Sequence, residues 1–398
     1  MTHSYQIVIV GGGNAGISVA SQLLLKNKKL NIAVIDPADK HYYQPAWTLV
    51  GAGVYDIKKT ERTEAEVMPK GIHWIKQKAV GFYPEQNAVE LDNKDMVNYE
   101  YLVVAPGIQL NWNAVKGLEE TLGKNNVCSN YSFKQAPYTF ECLKNFKGGK
   151  ALFTNPDTPV KCGGAPLKIM FLAADYFRKH GVADKTEIQY WSGGTRLFGV
   201  EKYEKTLFKV VERYNIKMNF FCKLDEIDGP NKRAKFIGIG EKNKGQEHWV
   251  EFDMIHVTPP QSAPDFIKNS VLANEAGWVE VNKNTLQHNR FANIFSLGDA
   301  SSLPTSRTGA AIRKQTPVLV KNILALINHK SLTGNYTGYT SCPVVTGYGK
   351  LMLAEFDYNN QPMETFPFDQ SKERWSMYQL KTKILPWLYW NKILTGKM

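Results

Sequence analysis

Nowhere in the 398 residues is there a continuously apolar run near 20 residues long, so a membrane-spanning helix is not expected. A basic n-region, an apolar leader and a small-residue cleavage site are also missing, and a strand-like stretch begins almost at Met1; the chain is therefore expected on the cytoplasmic side. Cysteine is scarce and unpatterned. Cys128, Cys142, Cys162, Cys222 and Cys342 form no C-x-x-C pair and no ligand spacing with the eight histidines, which argues against zinc and any other metal centre. Zinc-finger spacing and RNA-binding signatures are absent as well, so the net charge of +12 is not read as a nucleic-acid footprint.

What is present is ordinary for folded material: 43% hydrophobic and 22% charged residues, with length enough for two domains and a tail. Charge is unevenly placed. Ser371 to Met398 carries six basic residues, Lys372, Arg374, Lys381, Lys383, Lys392 and Lys397, against Glu373 alone. The same segment holds Trp375, Tyr378, Trp387, Tyr389 and Trp390 among aliphatic residues, a mixture suited to a membrane interface or to a basic helix packed on its own protein.

The stretch YQIVIVGGGNAGISVASQLL is an apolar strand, Tyr5 to Val10, a Gly11-x-Gly13-x-x-Gly16 turn running through Asn14 and Ala15, and a helical pattern. A second strand, LNIAVIDP, ends in Asp36, 20 residues after Gly16. The first glycine makes the tight turn, the second admits a pyrophosphate, the third lets helix pack on strand, and the helix N-terminus attracts the phosphate charge. Asp36 stands where a carboxylate holds ribose hydroxyls. Two later stretches favour FAD over NAD. YEYLVVAPG ends in a small-residue turn at Ala105 and Gly107, and FANIFSLGDASS ends in Gly298-Asp299; both resemble further FAD contacts of flavoproteins with two dinucleotide domains. Asp299 alternatively reads as a helix cap.

Flavoproteins that oxidise NADH repeat the glycine fingerprint near mid-chain. Here the matching layout is a strand from Ala151 to Thr154, a loop, a helix from about Pro166 and a strand from Glu187 to Trp191, but the loop has Pro156, Pro159 and no G-x-G-x-x-G. This half keeps the fold without the ligand. Cys162 precedes a helix start beside Lys161 and Lys168, and dipole and cations together lower a thiol pKa from about 8.5 toward neutrality. The segment alone equally allows a buried loop cysteine. Cys342 is expected just ahead of an apolar strand, Leu351 to Phe356, and spacing cannot prove that it pairs with Cys162. Cys142 and Cys222 read as small buried hydrophobes.

TPVKCGGAPLKIMFLAADYFRK, HVTPP, TLQHNRFANIFSLGD, YTSCPVVTGYGKLMLAEFDY and ETFPFDQSKERWSMYQLKTKILPWLYWNKIL together resemble the sulfide:quinone oxidoreductase family, in particular the type that includes the mitochondrial enzyme. The likeness runs from about Tyr5 to the C-terminus. It implies FAD and a redox-active pair matched by Cys162 and Cys342. Hydrosulfide attacks the oxidised bridge and leaves a persulfide, here assigned to Cys342; the freed thiolate, Cys162, then delivers electrons to the flavin. A membrane quinone takes the electrons, and a small acceptor such as sulfite, a thiol or sulfide takes the sulfur.

The resemblance further implies that Lys381 approaches the flavin, that Gln44 lies along FAD and that Val80 meets adenine through its backbone; Gln44 and Val80 otherwise read as packing residues. Cys128 lies near a third cysteine of another branch and is expected to be dispensable. The expected fold is α/β with two Rossmann-like dinucleotide-binding domains, like the flavoprotein disulfide reductases, plus a C-terminal amphipathic membrane-interface segment. FAD belongs to residues 1–110 and 285–340, the second domain with Cys162 to 111–284, and Cys342 and the tail to 341–398. The expected location is peripheral, on the cytoplasmic face of the cell membrane. An NADH:quinone oxidoreductase predicts the missing fingerprint and no cysteine pair; a non-enzymatic flavin sensor would tolerate loss of either cysteine.

Overall fold

A computed structural model describes residues 2–398. Its first sheet is organised by the apolar run of the glycine-rich motif. The strand Thr2–Val10, with Ile7, Val8 and Ile9 fully buried, pairs in parallel with Ile32–Ile35 on one side and Met96–Val104 on the other. Continuous apolar strands of this kind suit a parallel sheet covered on both faces. His73–Ile75 extends one edge, and an antiparallel meander of Ala79–Tyr83 and Ala88–Leu91 extends the other. The last parallel strand, Ile294–Ser296, returns from far along the chain to lie beside Met96–Val104. Its return delivers the helix Gly309–Ile327 to the helix Asn14–Lys26, against which it packs.

A second sheet is wholly parallel, in the order Val127–Cys128, Met254–His256, Gly149–Asn155, Thr186–Ser192, Lys217–Asn219. Its crossover helix, Ala165–Lys179, buries Leu167, Ile169, Met170 and Phe171 completely. The hairpin of Thr340–Gly347 and Lys350–Phe356 lays Val344, Val345, Leu351 and Met352 into the same core. Each of these side chains contributes about 1.5–3 kcal/mol on burial, so this shared core is what clamps the hairpin to the helix. The expected strand forms as Lys350–Phe356, but the residues ahead of it are not a loop. Cys342 lies inside the first strand of the hairpin, opposite Ala354. Pro343, which reads as a strand breaker, is tolerated because this sheet has only two strands and its ring needs no ladder donor.

The C-terminal stretch is helical from Trp375 to Ile393, with wide π-turns at Leu380–Ile384 and Tyr389–Ile393. Among the described residues no helix is long and apolar enough to cross a membrane. The tail is not free: Met377, Tyr378, Lys381, Tyr389, Trp390 and Leu394 are buried on the protein. Trp387 and Ile384 face outward at 53% and 48% exposure, so one face of this segment packs on its own protein and the other is open.

Candidate active site

The glycine loop has the shape a dinucleotide needs. Gly11 is left-handed at φ 107°, and a Cβ there would lie 2.4 Å from the Ala105 carbonyl oxygen. A Cβ on Gly16 would strike the Gly11 oxygen at 1.9 Å, whereas one on Gly13 would meet nothing within 4 Å. The first and third glycines thus close the turn and dock the helix, and the second keeps the space above the loop open. Asp36 accepts from the Gly12 and Ala38 amides at 2.5 and 2.7 Å. Asn14 at the start of its helix lies close to Gly309 at the start of the other, and Ala15 packs beside Gly298. Two helix N-termini, each a centre of positive potential, therefore converge on one cleft.

Gly107 is left-handed at φ 80° with nothing within 4 Å of a notional Cβ. Val80 sits where the pairing of its strand with Ala88–Leu91 shifts register. A bulge of this kind leaves main-chain groups free of the ladder, which suits a backbone contact. Asp299 lies in the tight turn Gly298–Ala300; the long helix is capped by the Thr308 hydroxyl, which accepts from the Ala311 amide at 3.1 Å. The helix-cap reading of Asp299 does not hold for this helix. Burial raises the Asp299 pKa, with Arg307 and Lys161 opposing.

The two cysteines that the resemblance singles out meet. Their Sγ atoms, 180 residues apart in sequence, are 3.6 Å apart, and both are free thiols. A bridge needs about 2.05 Å, so closing it requires only a short approach. Cys162 sits at φ 58°, a left-handed conformation that costs a non-glycine residue about 1–2 kcal/mol. It is held there because its amide donates to the Arg307 carbonyl at 2.8 Å and its own carbonyl accepts from the Ala165 amide at 2.7 Å. Gly164 makes room: a Cβ there would lie 2.5 Å from the Cys342 sulfur.

Lys168, about one turn into the helix, donates to Cys162 Sγ at 3.0 Å from a buried position. The Cys162 thiol is held well below its usual pKa, first by the hydrogen bond from Cys342 and then, against burial, by Lys168. Cys342 moves the opposite way, raised by its bond to Cys162 and by burial. The two shifts favour the proton on Cys342 over Cys162. Burial works against the charge on Lys168, but the two sulfurs outweigh it and its pKa rises. Lys381 donates to the Pro45 carbonyl at 2.9 Å, and burial, then Lys168, pushes it down to about 7. Lys161 reaches Gln44 Oε1 at 2.6 Å, and burial lowers it to about 8. Gln44, Lys161, Arg307 and Lys381 thus join the rim of the nucleotide cleft to the cysteine pair.

The missing second fingerprint has a structural counterpart. The loop from Asn155 to Gly164 folds back over the strand ends: the Gly193 amide donates to Asn155 O at 2.9 Å, and a Cβ on Gly193 would lie 2.6 Å from the Asp157 nitrogen. Thr158 and Lys161 are pinned to Gln261. The loop that in this layout would carry the second glycine fingerprint carries Cys162 instead.

A family model, pyridine nucleotide-disulphide oxidoreductase, matches residues 5–322. The mitochondrial sulfide:quinone oxidoreductase of Dictyostelium discoideum is 48% identical over 398 residues, 98% of this chain and 86% of that one. That of Mus musculus is 43% identical over 392 residues, 98% of this chain and 87% of that one. The chain belongs to the sulfide:quinone oxidoreductase family. The crystallographic structure of the sulfide:quinone oxidoreductase from Aquifex aeolicus has the same fold, with a TM-score of 0.83 at 20% identity, covering 98% of this chain and 92% of that one.

Sulfide:quinone oxidoreductases are FAD-dependent, and the residues here fit FAD: the open space over Gly13, the left-handed Gly11 and Gly107, and the paired helix starts form a cradle that no side chain fills. Cys128, Cys142 and Cys222 are buried, and burial raises the Cys128 thiol well above its usual value, with Cys142 adding to the rise. Sequence reasoning did not find Gly164, whose role depends on a sulfur from another strand, nor the buried Glu64 beside the glycine loop. Thr63 to Glu66 carries a helix capping box, which the structure forms; that pattern marks Glu66 and leaves Glu64 without a signal.

Proposed function

We propose that the chain oxidises hydrogen sulfide at Cys162 and Cys342 and passes two electrons through FAD to a membrane quinone. The observation that carries this reading is the dithiol at 3.6 Å with Lys168 at 3.0 Å from one sulfur. In the oxidised pair hydrosulfide attacks the Cys342 sulfur, forming an S–S bond as the bridge breaks and expelling Cys162 as a thiolate. The direction follows from leaving-group chemistry, since the thiol of lower pKa leaves faster. Cys342 then carries the persulfide and Cys162 the negative charge that Lys168 stabilises. A nucleophilic acceptor such as sulfite, a thiol or sulfide removes the outer sulfur and leaves a Cys342 thiolate. When the two thiolates close the bridge again, two electrons leave the pair.

FAD supplies the two-electron acceptor for that closure and the donor for quinone. Gly11, Gly13, Asn14, Ala15, Gly16, Asp36, Val80, Ala105, Gly107 and Asp299 would hold it, with Gln44 at its rim. Lys381, with a pKa of about 7, holds or releases a proton near neutrality and balances negative charge developing beside it. The missing second glycine fingerprint supports sulfide over NADH as reductant. The exposed face of the C-terminal helix, with Trp387 and Ile384 among lysines, supports peripheral attachment to the membrane that holds the quinone.

The test is an anaerobic absorbance titration of the purified holoenzyme. Sulfide should bleach the flavin band, NADH should not, and a short-chain quinone should restore it. Bleaching by NADH alone would overturn the assignment of the cysteines. A Cys162→Ala variant should keep its FAD and lose reduction by sulfide; reduction at the normal rate in that variant would remove the cysteine mechanism.

A further inference from the structure

Ser306, Arg307 and Thr308 lie where distant parts of the site are bonded together. The Arg307 carbonyl accepts from the Cys162 amide at 2.8 Å, and Lys161 and Arg307 form an isolated parallel bridge. Thr340, in the strand that carries Cys342, donates from its hydroxyl to the Ser306 carbonyl at 3.2 Å. That uses its only hydrogen, so in the 2.9 Å contact between Thr308 and Thr340 the Thr308 hydroxyl is the donor. Thr308 in turn caps the helix Gly309–Ile327, whose start lies at the cleft. Both cysteine-bearing segments are thus held by one short stretch of chain.

The Arg307 side chain runs from this stretch to the turn Gly298–Ala300. Its Nε donates to the Asp299 carbonyl at 3.0 Å, and its guanidinium lies 3.8 Å from the centre of the Trp278 ring. Trp278 is fixed to the same turn from the other side. Beside it, the Val279 amide donates to the Ala300 carbonyl at 3.0 Å, and the Val279 carbonyl accepts from the Ser302 amide at 2.9 Å. Arg307 is half-buried, and burial lowers its pKa with Asp299 opposing. Among the described residues no carboxylate forms an ion pair with it. What holds it is a carbonyl and an aromatic face, contacts that ask for a planar fork able to donate and stack at once rather than for a charge alone.

We propose that Arg307 is a positioning residue that sets how far Cys162 stands from the flavin, its side chain tying the segment that holds both cysteines to the Asp299 turn. The inference rests on the reading above, with FAD against the Asp299 turn and Cys162 as the thiol that passes electrons on. Without the tie, the main-chain bond to Cys162 and the threonine contacts to the Cys342 strand remain. The two sulfurs therefore stay together, and what loosens is their place relative to the cofactor. Misplacement by about 1 Å can cost about 10²-fold in rate, so the effect falls on delivery of electrons rather than on the capture of sulfide.

The experiment uses the full-length holoenzyme in a Cys342→Ser background, where Cys162 stands as a lone thiolate beside oxidised flavin and gives a long-wavelength charge-transfer absorbance that depends steeply on their separation. Read per bound flavin, this band should fall by at least about half in Arg307→Met and also in Arg307→Lys, which keeps the charge but not the fork or the planar face. With both cysteines present, Arg307→Met should slow the saturating reduction of flavin by sulfide about tenfold or more. Half-saturating sulfide should move by less than about twofold, the mark of a residue that binds no substrate. A full band in Arg307→Lys would show that charge alone suffices, and a full band in Arg307→Met that neither charge nor tie matters; either result overturns the inference. Trp278→Leu removes the stacking partner and decides the matter where Arg307→Met fails to fold: the band should fall again, and a full band overturns the tie. Bound FAD with no band in the Cys342→Ser parent would instead bring down the reading of Cys162 as the flavin-facing thiol, and this inference with it.

Discussion

Lys168 adds to the hydrogen bond from Cys342 in lowering the Cys162 thiol. With its ammonium 3.0 Å from Cys162 Sγ, it favours the thiolate, and an opposite charge at that distance shifts a pKa by about 1–3 units. Removing it disfavours the charged form, so the Cys162 pKa must rise. In Lys168→Met the pH midpoint for iodoacetamide alkylation of the reduced pair should move up by at least about one unit, toward the ordinary thiol value; an unmoved midpoint would take Lys168 out of the mechanism. Cys128→Ser, by contrast, should keep most of its turnover, because that thiol is fully buried and its pKa is raised; turnover falling below about a tenth, the effect of losing an activated group, would contradict this. Cys162 and Lys168 were legible in sequence because they flank one helix start, a local relation. Cys342 was legible only by resemblance, since its meeting with Cys162 spans 180 residues. Glu64 was not legible at all: an acid in a polar helix start looks solvated until the fold buries it.

At the scale of elements, the strand, glycine loop, helix, strand and acid of the first nucleotide site were read correctly because each is a local pattern. The strand, loop and helix around Cys162 also form as expected, with Gly149–Asn155 and Ala165–Lys179 on either side of the loop. The C-terminal helix was the harder element. Its composition announces an interface but not which aromatic residues face it, and the π-turns rotate the face away from a regular period of 3.6. Trp390 is 8% exposed, lies between Tyr43 and Tyr389, and has the Arg62 guanidinium 4.4 Å above its ring. Trp390→Ser should therefore cost about 3–5 kcal/mol, the usual range for emptying a buried aromatic site. A denaturation midpoint unchanged from wild type would mean that this end of the helix is not docked as described.

The whole molecule brings three requirements of one reaction to a single place. The parallel sheet around Thr2–Val10 supplies a cleft at its strand ends, the second sheet supplies a helix start with a thiolate, and the hairpin after the FAD-side helix supplies the second sulfur. Since quinone is insoluble, electrons leave only where this assembly meets lipid, and the C-terminal helix is the element that touches both the cleft, through Lys381, and the outside, through Trp387 and Ile384. Burying an exposed tryptophan in a headgroup layer gains apolar contact, and nearby lysines add about 1 kcal/mol each against anionic lipid. Trp387→Ser should therefore reduce co-sedimentation with anionic vesicles severalfold while leaving the denaturation midpoint in place, the reverse of the Trp390 variant. It should also leave reduction of the flavin by sulfide intact, because the cysteine pair lies on the buried side of the helix. If vesicle binding survives the change and sulfide reduction does not, the outward face of this helix serves the cysteine site and the membrane contact must be sought on another surface.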